Sequence, residues 1–376
     1  MSTANRSIVI IGGGIIGSSI AYYLTRHPLL ADTAVHLLEA SSIAAGSSSK
    51  GGGFLASDWH DRNTASLGKL SFELHDELAR EHDGQRNWGY RRLDTLGVEV
   101  NMDKARRKNV SGAESWLGNV TSARNIGGDQ TTAQVHPYQF THALVAAAQE
   151  RGLTVHLAAA EGLTFADDGE TLTGVTAVSN QGGEEINILA TDVVFAAGPW
   201  TGKLAEKLLG DRAGAAAGIV PSGRSTSIVL RSAKPISPHA LFMEVHPIPA
   251  AAAKCTPEVY PRPDGTVYVC GIAAREAAVP LPERAHQVVH SEKAAKLLRA
   301  HMAAIAPEAF GEKEEVEVVA EQACYRPNSS ETGGPIIGKI REGIWMASGH
   351  QVWGILMGAS LRPSRRRAFV RARDLD

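Results

Sequence analysis

The 376-residue chain has few of the features that mark membrane proteins and nucleic-acid-binding proteins. No apolar run approaches the roughly 20 residues that a membrane-spanning helix needs. Lys plus Arg number 38 against 40 for Asp plus Glu, so there is no net positive field to attract nucleic acid or an anionic membrane. The composition therefore predicts no membrane span and no nucleic-acid partner, and it leaves the oligomeric state open.

Cysteine is also scarce. Cys255, Cys270 and Cys324 form neither a CxxC pair nor a metal-ligand spacing, so no metal site is predicted. A sparse, odd set of cysteines is typical of free thiols in a reducing compartment. The first seven residues contain no apolar secretory stretch. We therefore expect a cytoplasmic protein, and its length favours two closely packed domains.

The first 25 residues carry a dinucleotide-binding pattern. The β-branched run Ile8-Val-Ile-Ile11 predicts a buried parallel strand, and a helix is predicted over 18–25. Between them, Gly12, Gly14 and Gly17 have GxGxxG spacing. In such a turn the first glycine allows the tight bend, the second lets the backbone approach a pyrophosphate, and the third lets the helix pack on the strand.

An acidic residue follows at the expected place. A second predicted strand, Ala34-Val-His-Leu-Leu38, ends in Glu39, which lies 27 residues after Gly12. A carboxylate there hydrogen-bonds a ribose hydroxyl, and it disfavours the 2′-phosphate of NADP. The order strand, glycine turn, helix, strand and acid predicts dinucleotide binding rather than a simple glycine-rich turn, with NAD or FAD as the ligand.

The segment after Glu39 favours FAD over NAD. Residues 41–53 are small and polar, and we interpret them as too rich in Gly and Ser for a helix. Such a loop suits a backbone that wraps around a long extended ligand, whereas a nicotinamide enzyme would return to another βα unit. A flexible linker is disfavoured, because the apolar Gly53-Phe-Leu-Ala56 follows with no polar spacer.

Later segments carry further motifs. They are His136-Pro137 opening a predicted helix over 138–151, then Asp192–Thr201, Glu258–Gly271, Cys324–Gly338 and Gly343–Gly354. Together with the N-terminal pattern they resemble the D-amino-acid oxidase/glycine oxidase superfamily of FAD-dependent oxidoreductases over nearly the whole chain. The sequence as a whole is most similar to those of fungal cytosolic members of this superfamily.

The resemblance implies an α/β fold. It consists of an FAD-binding Rossmann-like domain of the glutathione-reductase type and a second, substrate domain built on an antiparallel sheet. The FAD domain would be discontinuous, with residues 1–60, 135–221 and 325–376. The substrate domain would use 61–134 and 222–324.

The patterning of the residues agrees with this division. Residues 222–275 alternate as strands and Pro/Gly turns. Two apolar stripes with helical spacing are interpreted as core-facing, namely Leu67, Leu70, Leu74, Leu78 and Ala294, Leu298, His301, Ile305. Most of the histidines are interpreted as surface or helix residues.

The activity implied is oxidation of the C–N bond of a small amine or amino acid by hydride transfer to flavin N5, with O2 as the expected acceptor. The alternatives are an NAD-dependent dehydrogenase and a flavin-binding protein with a regulatory, non-catalytic role. The resemblance places the following residues at the cofactor: Gly12, Gly14, Ile15, Ile16, Gly17, Glu39, Ala40, Ser47, Ser48, Lys50, Gly51, Gly52, Ala160, Glu161, Ala197, Gly198, Trp200, Gly349, His350, Val352, Trp353, Gly354 and Ile355.

Two residues are candidates for holding the substrate. Arg326 matches an arginine that pairs with the substrate carboxylate in glycine oxidase, and a planar guanidinium suits bidentate binding. The alternative is a surface arginine before the turn at Pro327. Tyr260, on the facing hairpin, could hydrogen-bond the same carboxylate, or its ring could pack across the sheet.

Three further residues are expected near the flavin ring. His350 would lie at the N-terminus of the last helix, whose dipole stabilises negative charge on the reduced flavin. Lys50 is a candidate positive charge that favours electron transfer to O2, although a solvated loop lysine is the alternative. Cys324 matches the position where sarcosine oxidases link flavin through sulfur, but the neighbouring Tyr325 and Arg326 are closer to glycine oxidase. We therefore expect non-covalent FAD, with a covalent link at Cys324 left open.

The C-terminal end departs from the family pattern. After Gly358 the relatives continue into an apolar helix, whereas residues 359–376 here are basic and contain Pro363, which breaks a helix. Because that helix normally closes the flavin site, the departure leaves full FAD retention as an open question.

Overall fold

The protein is described here from a computed structural model that covers residues 6–103, 112 and 114–361, so residues 362–376 of the atypical tail, with Pro363, lie outside the described residues. The helices are α1 Ile15–Arg26, α2 Ser47–Lys50, α3 Ala65–Glu81, α4 Gly84–Trp88, α5 Pro137–Gln149, α6 Thr201–Leu209, α7 Glu292–Ile305, α8 Pro307–Phe310 and α9 Gly354–Gly358. The strands are β1 Ser7–Ile11, β2 Ala34–Leu38, β3 Phe54–Ala56, β4 Arg91–Arg92, β5 Thr95–Asn101, β6 Val120–Gly127, β7 Thr132–Gln134, β8 Thr154–His156, β9 Ala158–Phe165, β10 Leu172–Ser179, β11 Glu185–Leu189, β12 Asp192–Phe195, β13 Ile219–Pro221, β14 Ser225–Ser232, β15 Ala240–His246, β16 Ala252–Pro261, β17 Thr266–Ala274, β18 Val316–Cys324, β19 Pro327–Ser329, β20 Ile336–Arg341 and β21 Ile344–Ser348.

The first main sheet has the strand order β20-β21-β12-β1-β2-β8 and is parallel except for β20. Every residue of β1 is buried, as a parallel strand covered on both faces requires. One face packs against α1, α3, α5 and α9, and the other packs against α6 and the small sheet β11-β10-β9. The chain therefore has the α/β class expected from its sequence.

The second main sheet has the order β18-β14-β17-β16-β15-β5-β6. Its pairs are antiparallel except for β15 with β5. Helices α7 and α8 cover one face with the buried side chains of Leu298, Met302, Ile305 and Phe310. The strands expected within residues 222–275 are confirmed, and the stripe on α7 faces the core.

One prediction about the Gly/Ser-rich segment is wrong. Residues 47–50 form the short helix α2 rather than loop throughout. Tertiary contacts override the weak local propensity there: the Ser47 hydroxyl donates to the carbonyl of Tyr325 at 2.7 Å, and the Ser48 hydroxyl accepts from the Ile15 N–H at 2.9 Å. Both contacts come from distant parts of the chain, which explains why propensity alone did not predict the helix.

His75 joins two helices in the interior. It lies on α3, 1% exposed, and its Nε2 lies 3.1 Å and 3.2 Å from the carbonyl oxygens of Ile355 and Leu356 on α9. Burial lowers the pKa of His75 to about 4, although those two hydrogen bonds favour the protonated form. The histidine interpreted only as a helix residue is thus a buried, neutral donor that anchors α9.

In the part of the chain that the structure describes, no helix is long and apolar enough to cross a membrane.

We expect His75 to make the free energy of unfolding depend on pH. Because its pKa is lower in the folded chain than the usual 6.5, the unfolded chain binds more protons below pH 6.5. The stabilisation of the folded chain by neutral His75 is fully present above pH 6.5. As the pH falls toward 4, about 3 kcal/mol of this stabilisation is lost. Urea unfolding at pH 7 and pH 4 should show a smaller loss in His75→Gln than in the wild type. The exposed His286→Gln is the control, and equal losses in all three proteins would contradict the assignment.

Candidate active site

A cavity of about 1080 Å3 is lined by residues of both main sheets and of the loops at their edges. On one side lie the turn after β1, the end of β2 and helix α2. On the other lie β16, β17 and the segment that follows β17. The volume is at the upper end of the range for ligand sites, and its long lining suits an extended ligand.

The glycine turn brings backbone to the cavity wall. Gly12 has a φ of +118°, and a Cβ there would lie 2.4 Å from the carbonyl oxygen of Ala196. A Cβ at Gly17 would lie 1.9 Å from the carbonyl oxygen of Gly12, so this glycine permits the contact of α1 with β1. Gly14 differs, because its Cβ would meet only the Ser48 side chain at 3.0 Å while the residue lines the cavity. This is the cradle that a pyrophosphate requires beside the first turn of α1.

Glu39 is held at the end of β2. Its carboxylate accepts hydrogen bonds from the backbone N–H groups of Gly13 at 2.8 Å and Ser41 at 2.7 Å. Burial raises its pKa, whereas those two N–H groups and Arg284 lower it. Each oxygen keeps a lone pair for a ribose hydroxyl. The acceptor oxygens of Glu39 and the Gly14 cradle therefore fit the adenosine diphosphate half of FAD.

Most of the residues predicted at the cofactor line this one cavity. The two that do not are Gly17 and Gly349, which act through packing: Gly349 has a φ of +85° and redirects the chain between β21 and His350. Those in the lining are Gly12, Gly14, Ile15, Ile16, Glu39, Ala40, Ser47, Ser48, Lys50, Gly51, Gly52, Ala160, Glu161, Ala197, Gly198, Trp200, His350, Val352, Trp353, Gly354 and Ile355.

His350 is a buried polar group that faces the cavity. It is 2% exposed, and neither ring nitrogen has a hydrogen-bond partner among the described residues. Burial lowers its pKa to about 4, so the ring is neutral near pH 7. An orphaned buried imidazole beside the start of α9 fits a ligand that supplies the missing partner.

Lys50 and Cys324 lie close together in the same wall. Lys50 is half-buried at the end of α2, burial lowers its pKa, and it makes no ion pair within the described ranges. Burial raises the pKa of Cys324, although Arg326 and Lys50 act in the opposite direction. Because the thiolate is the nucleophile, a protonated Cys324 is poorly suited to form a covalent flavin link.

Arg326 leads from β18 into β19 and lines the cavity. Its backbone is fixed by Ser222, whose hydroxyl accepts from the Arg326 N–H at 2.9 Å and whose N–H donates to the Arg326 carbonyl at 2.8 Å. The half-buried guanidinium has no ion-pair or hydrogen-bond partner among the described residues. Arg262, in contrast, is 7% exposed, donates to the Gly51 carbonyl at 3.2 Å and lies outside the lining. Arg326 is thus the cation of this pair that remains available to an anionic ligand.

Tyr260 also lines the cavity, but its hydroxyl is already engaged. It donates to the Glu258 carboxylate at 2.7 Å, and its ring stacks on Phe54 and Tyr268. Burial raises the pKa of Tyr260 well above its usual range. A role for Tyr260 in carboxylate binding stays a prediction, and Glu258 is the neighbouring polar group that sequence reasoning missed. Alternation along β16 could have found it, because residues 258 and 260 share a face of the strand.

A second feature missed from the sequence is the segment 275–290 after β17, much of which lines the cavity. The Trp200 indole donates to the Pro282 carbonyl at 2.7 Å. Arg284 donates to the Ala40 carbonyl at 3.1 Å, and the Tyr325 hydroxyl donates to the Val279 carbonyl at 2.9 Å. The segment therefore joins the second sheet to the predicted adenosine end of the cavity. Glu161, predicted at that end, forms an ion pair with Lys207.

Comparison with known proteins agrees with this geometry. Residues 7–361 match the model of the family described as FAD dependent oxidoreductase, DAO. A Schizosaccharomyces pombe protein named as an oxidoreductase, C1F5.03c, is 32% identical, with 94% of this chain and 91% of that protein covered. The Saccharomyces cerevisiae protein TDA3, also named as an oxidoreductase, is 26% identical over 94% of this chain and 89% of its own. The crystal structure of glycine oxidase from Geobacillus kaustophilus superposes with a TM-score of 0.70 at 20% identity, covering 94% of this chain and 92% of that one, which shows a shared fold.

Proposed function

Because the chain belongs to the FAD dependent oxidoreductase (DAO) family, we propose that it oxidises the carbon–nitrogen bond of a small amino acid, with O2 as the electron acceptor. FAD, when bound, supplies the hydride acceptor. The observation that carries the choice of an amino acid is Arg326, a cavity guanidinium without a partner among the described residues. A substrate carboxylate supplies that partner and fixes the α-carbon in one orientation.

The other residues of the cavity have supporting roles in this proposal. The turn at Gly12 and Gly14 and the carboxylate of Glu39 hold the adenosine diphosphate half of FAD. His350, kept neutral by burial that lowers its pKa to about 4, would offer the bound cofactor a hydrogen bond without adding charge. Lys50 supplies the positive charge near the ring that favours reaction with O2. Burial of the cavity walls excludes water from the reacting atoms.

The division into domains is also part of the proposal. The FAD domain is assigned to 1–60, 135–221 and 325–376, and the substrate domain to 61–134 and 222–324. All six strands of the first main sheet, over the described residues, come from the first set of ranges, and the strands of the second main sheet come from the other set. A cytosolic location is proposed from the sparse cysteines, all of which are free.

Flavin content and anaerobic reduction test the proposal. We expect a yellow protein whose flavin is released into the supernatant by acid precipitation, because the Cys324 thiol, whose pKa is raised, does not link it. Under anaerobic conditions an amino acid should bleach the absorbance, and admission of air should restore it with formation of peroxide. The panel pairs each amino acid with the amine that lacks its carboxylate. A yellow protein that no member of the panel bleaches would support the regulatory alternative instead.

A further inference from the structure

Glu258 lies in the middle of one face of the second main sheet. It pairs with Phe242 on β15 and with Cys270 on β17, and Tyr260 follows two residues later on the same face of β16. Directly opposed residues in antiparallel strands have neighbouring side chains. All four of these residues line the cavity. The carboxylate is therefore part of the cavity wall on the side away from the glycine turn.

The surroundings of Glu258 are aromatic. Phe54, Trp59, Phe242 and Tyr260, here called the aromatic wall, contact one another with ring centroids 4.9–5.8 Å apart. Phe54 and Tyr260 are nearly parallel, at 15°. Ring faces carry partial negative charge and attract cations. Phe242 and Tyr260 neighbour the carboxylate, and Phe54 and Trp59 pack against these two rings, so the wall is suited to a positively charged group.

The charge of Glu258 has no counter-ion in the part of the chain that the structure describes. One carboxylate oxygen, Oε2, accepts from both the Tyr260 hydroxyl at 2.7 Å and the Cys270 thiol at 3.7 Å, which are neutral donors. Lys254 lies on the same strand and lines the cavity, but it is exposed and makes no ion pair with Glu258. A half-buried carboxylate between aromatic rings is thus incompletely compensated by the protein.

We propose that Glu258 and the aromatic wall form a subsite for a side-chain group of the substrate that stays positively charged during the reaction. The substrate class is then an amino acid with a charged amine or guanidine on its side chain, with the carboxylate at Arg326 and the distal cation at Glu258. This inference rests on the proposed function and narrows its substrate.

The reacting nitrogen is a poor occupant of this subsite. Hydride leaves from the α-carbon only while the attached amine is neutral, and a carboxylate beside that amine stabilises its protonated form. Glu258 therefore suits a nitrogen that stays charged throughout the reaction. A distal ammonium or guanidinium meets this condition and gains cation–π contact with the wall.

Paired substrates test the subsite. Lysine and norleucine share chain length but differ in the distal charge, and both enantiomers of each are assayed anaerobically by flavin reduction. We expect the wild type to favour lysine by about tenfold to a hundredfold in kcat/KM. In Glu258→Gln, which keeps an acceptor for the Tyr260 hydroxyl, this ratio should fall by a similar factor, and Glu258→Asp should keep part of it. Glu283→Gln changes an exposed carboxylate of the lining and should leave the ratio as in the wild type.

The outcomes separate this inference from the proposed function. If the wild type oxidises neutral amino acids with no preference for lysine, or if Glu258→Gln slows both substrates equally, the subsite assignment is wrong while amino-acid oxidation stands. If no amino acid reduces the flavin, the proposed function fails, and the subsite fails with it. Should Glu258→Gln lose its flavin, the wild-type ratio and Glu258→Asp still decide.

Discussion

Valine in place of Gly14 is expected to yield a folded protein with less than about a tenth of the wild-type flavin. The added side chain points toward Ser48 and into the cavity, where a pyrophosphate must approach backbone N–H groups. Flavin absorbance per protein, after gel filtration, measures the effect.

Gly14 is chosen rather than Gly12 or Gly17 because its substitution should leave the protein folded. A Cβ at Gly12 or Gly17 would meet backbone oxygen atoms at 2.4 Å or 1.9 Å, so those variants would disturb the packing of α1 itself. A matched control is Gly334→Val, because a Cβ there makes only an ordinary contact with Thr64 at 3.8 Å and the residue lies outside the lining. Stoichiometric flavin in Gly14→Val would show that the pyrophosphate lies elsewhere.

Alanine in place of Arg326 is expected to lower kcat/KM for an amino acid by about 30-fold to several thousandfold. Removal of one partner from a desolvated charge pair costs about 2–5 kcal/mol. Because the guanidinium is half-buried before substrate binds, we expect the lower part of this range. Arg326→Lys should recover only part of the loss, since a point charge lacks the fork geometry of a guanidinium.

The amine that lacks the carboxylate is the internal control for this prediction. Its turnover should be nearly the same in the wild type, Arg326→Ala and Arg326→Lys. Arg231→Ala, which removes an exposed ion pair with Glu317 outside the cavity, should leave both substrates unaffected. Unchanged amino-acid turnover in Arg326→Ala would remove the carboxylate assignment. Arg262 is then a poor replacement, because it is buried and its side chain already donates a hydrogen bond to the Gly51 carbonyl.

The sequence by itself determined the features whose signals are local and ordered along the chain. Short apolar runs predicted β1 and β2, and the spacing of Gly12, Gly14 and Gly17 predicted the turn between β1 and α1 at the cavity. These features follow from backbone geometry within a few residues, so neighbours in sequence are sufficient to specify them. The later motifs, taken in order, indicated the family to which the chain belongs.

Only the tertiary structure decided features that depend on distant partners. Helix α2 forms because Ser47 and Ser48 contact Tyr325 and Ile15, against the local propensity of the segment. His75 is neutral because burial lowers its pKa, even though carbonyl groups of α9, about 280 residues later, accept its hydrogen bonds. Among the described residues Glu258 has no counter-ion, because the residues paired with it are Phe242 on β15 and Cys270 on β17 rather than a cation. Burial, charge compensation and hydrogen-bond partners are properties of packed surfaces, and a linear pattern does not specify which surfaces meet.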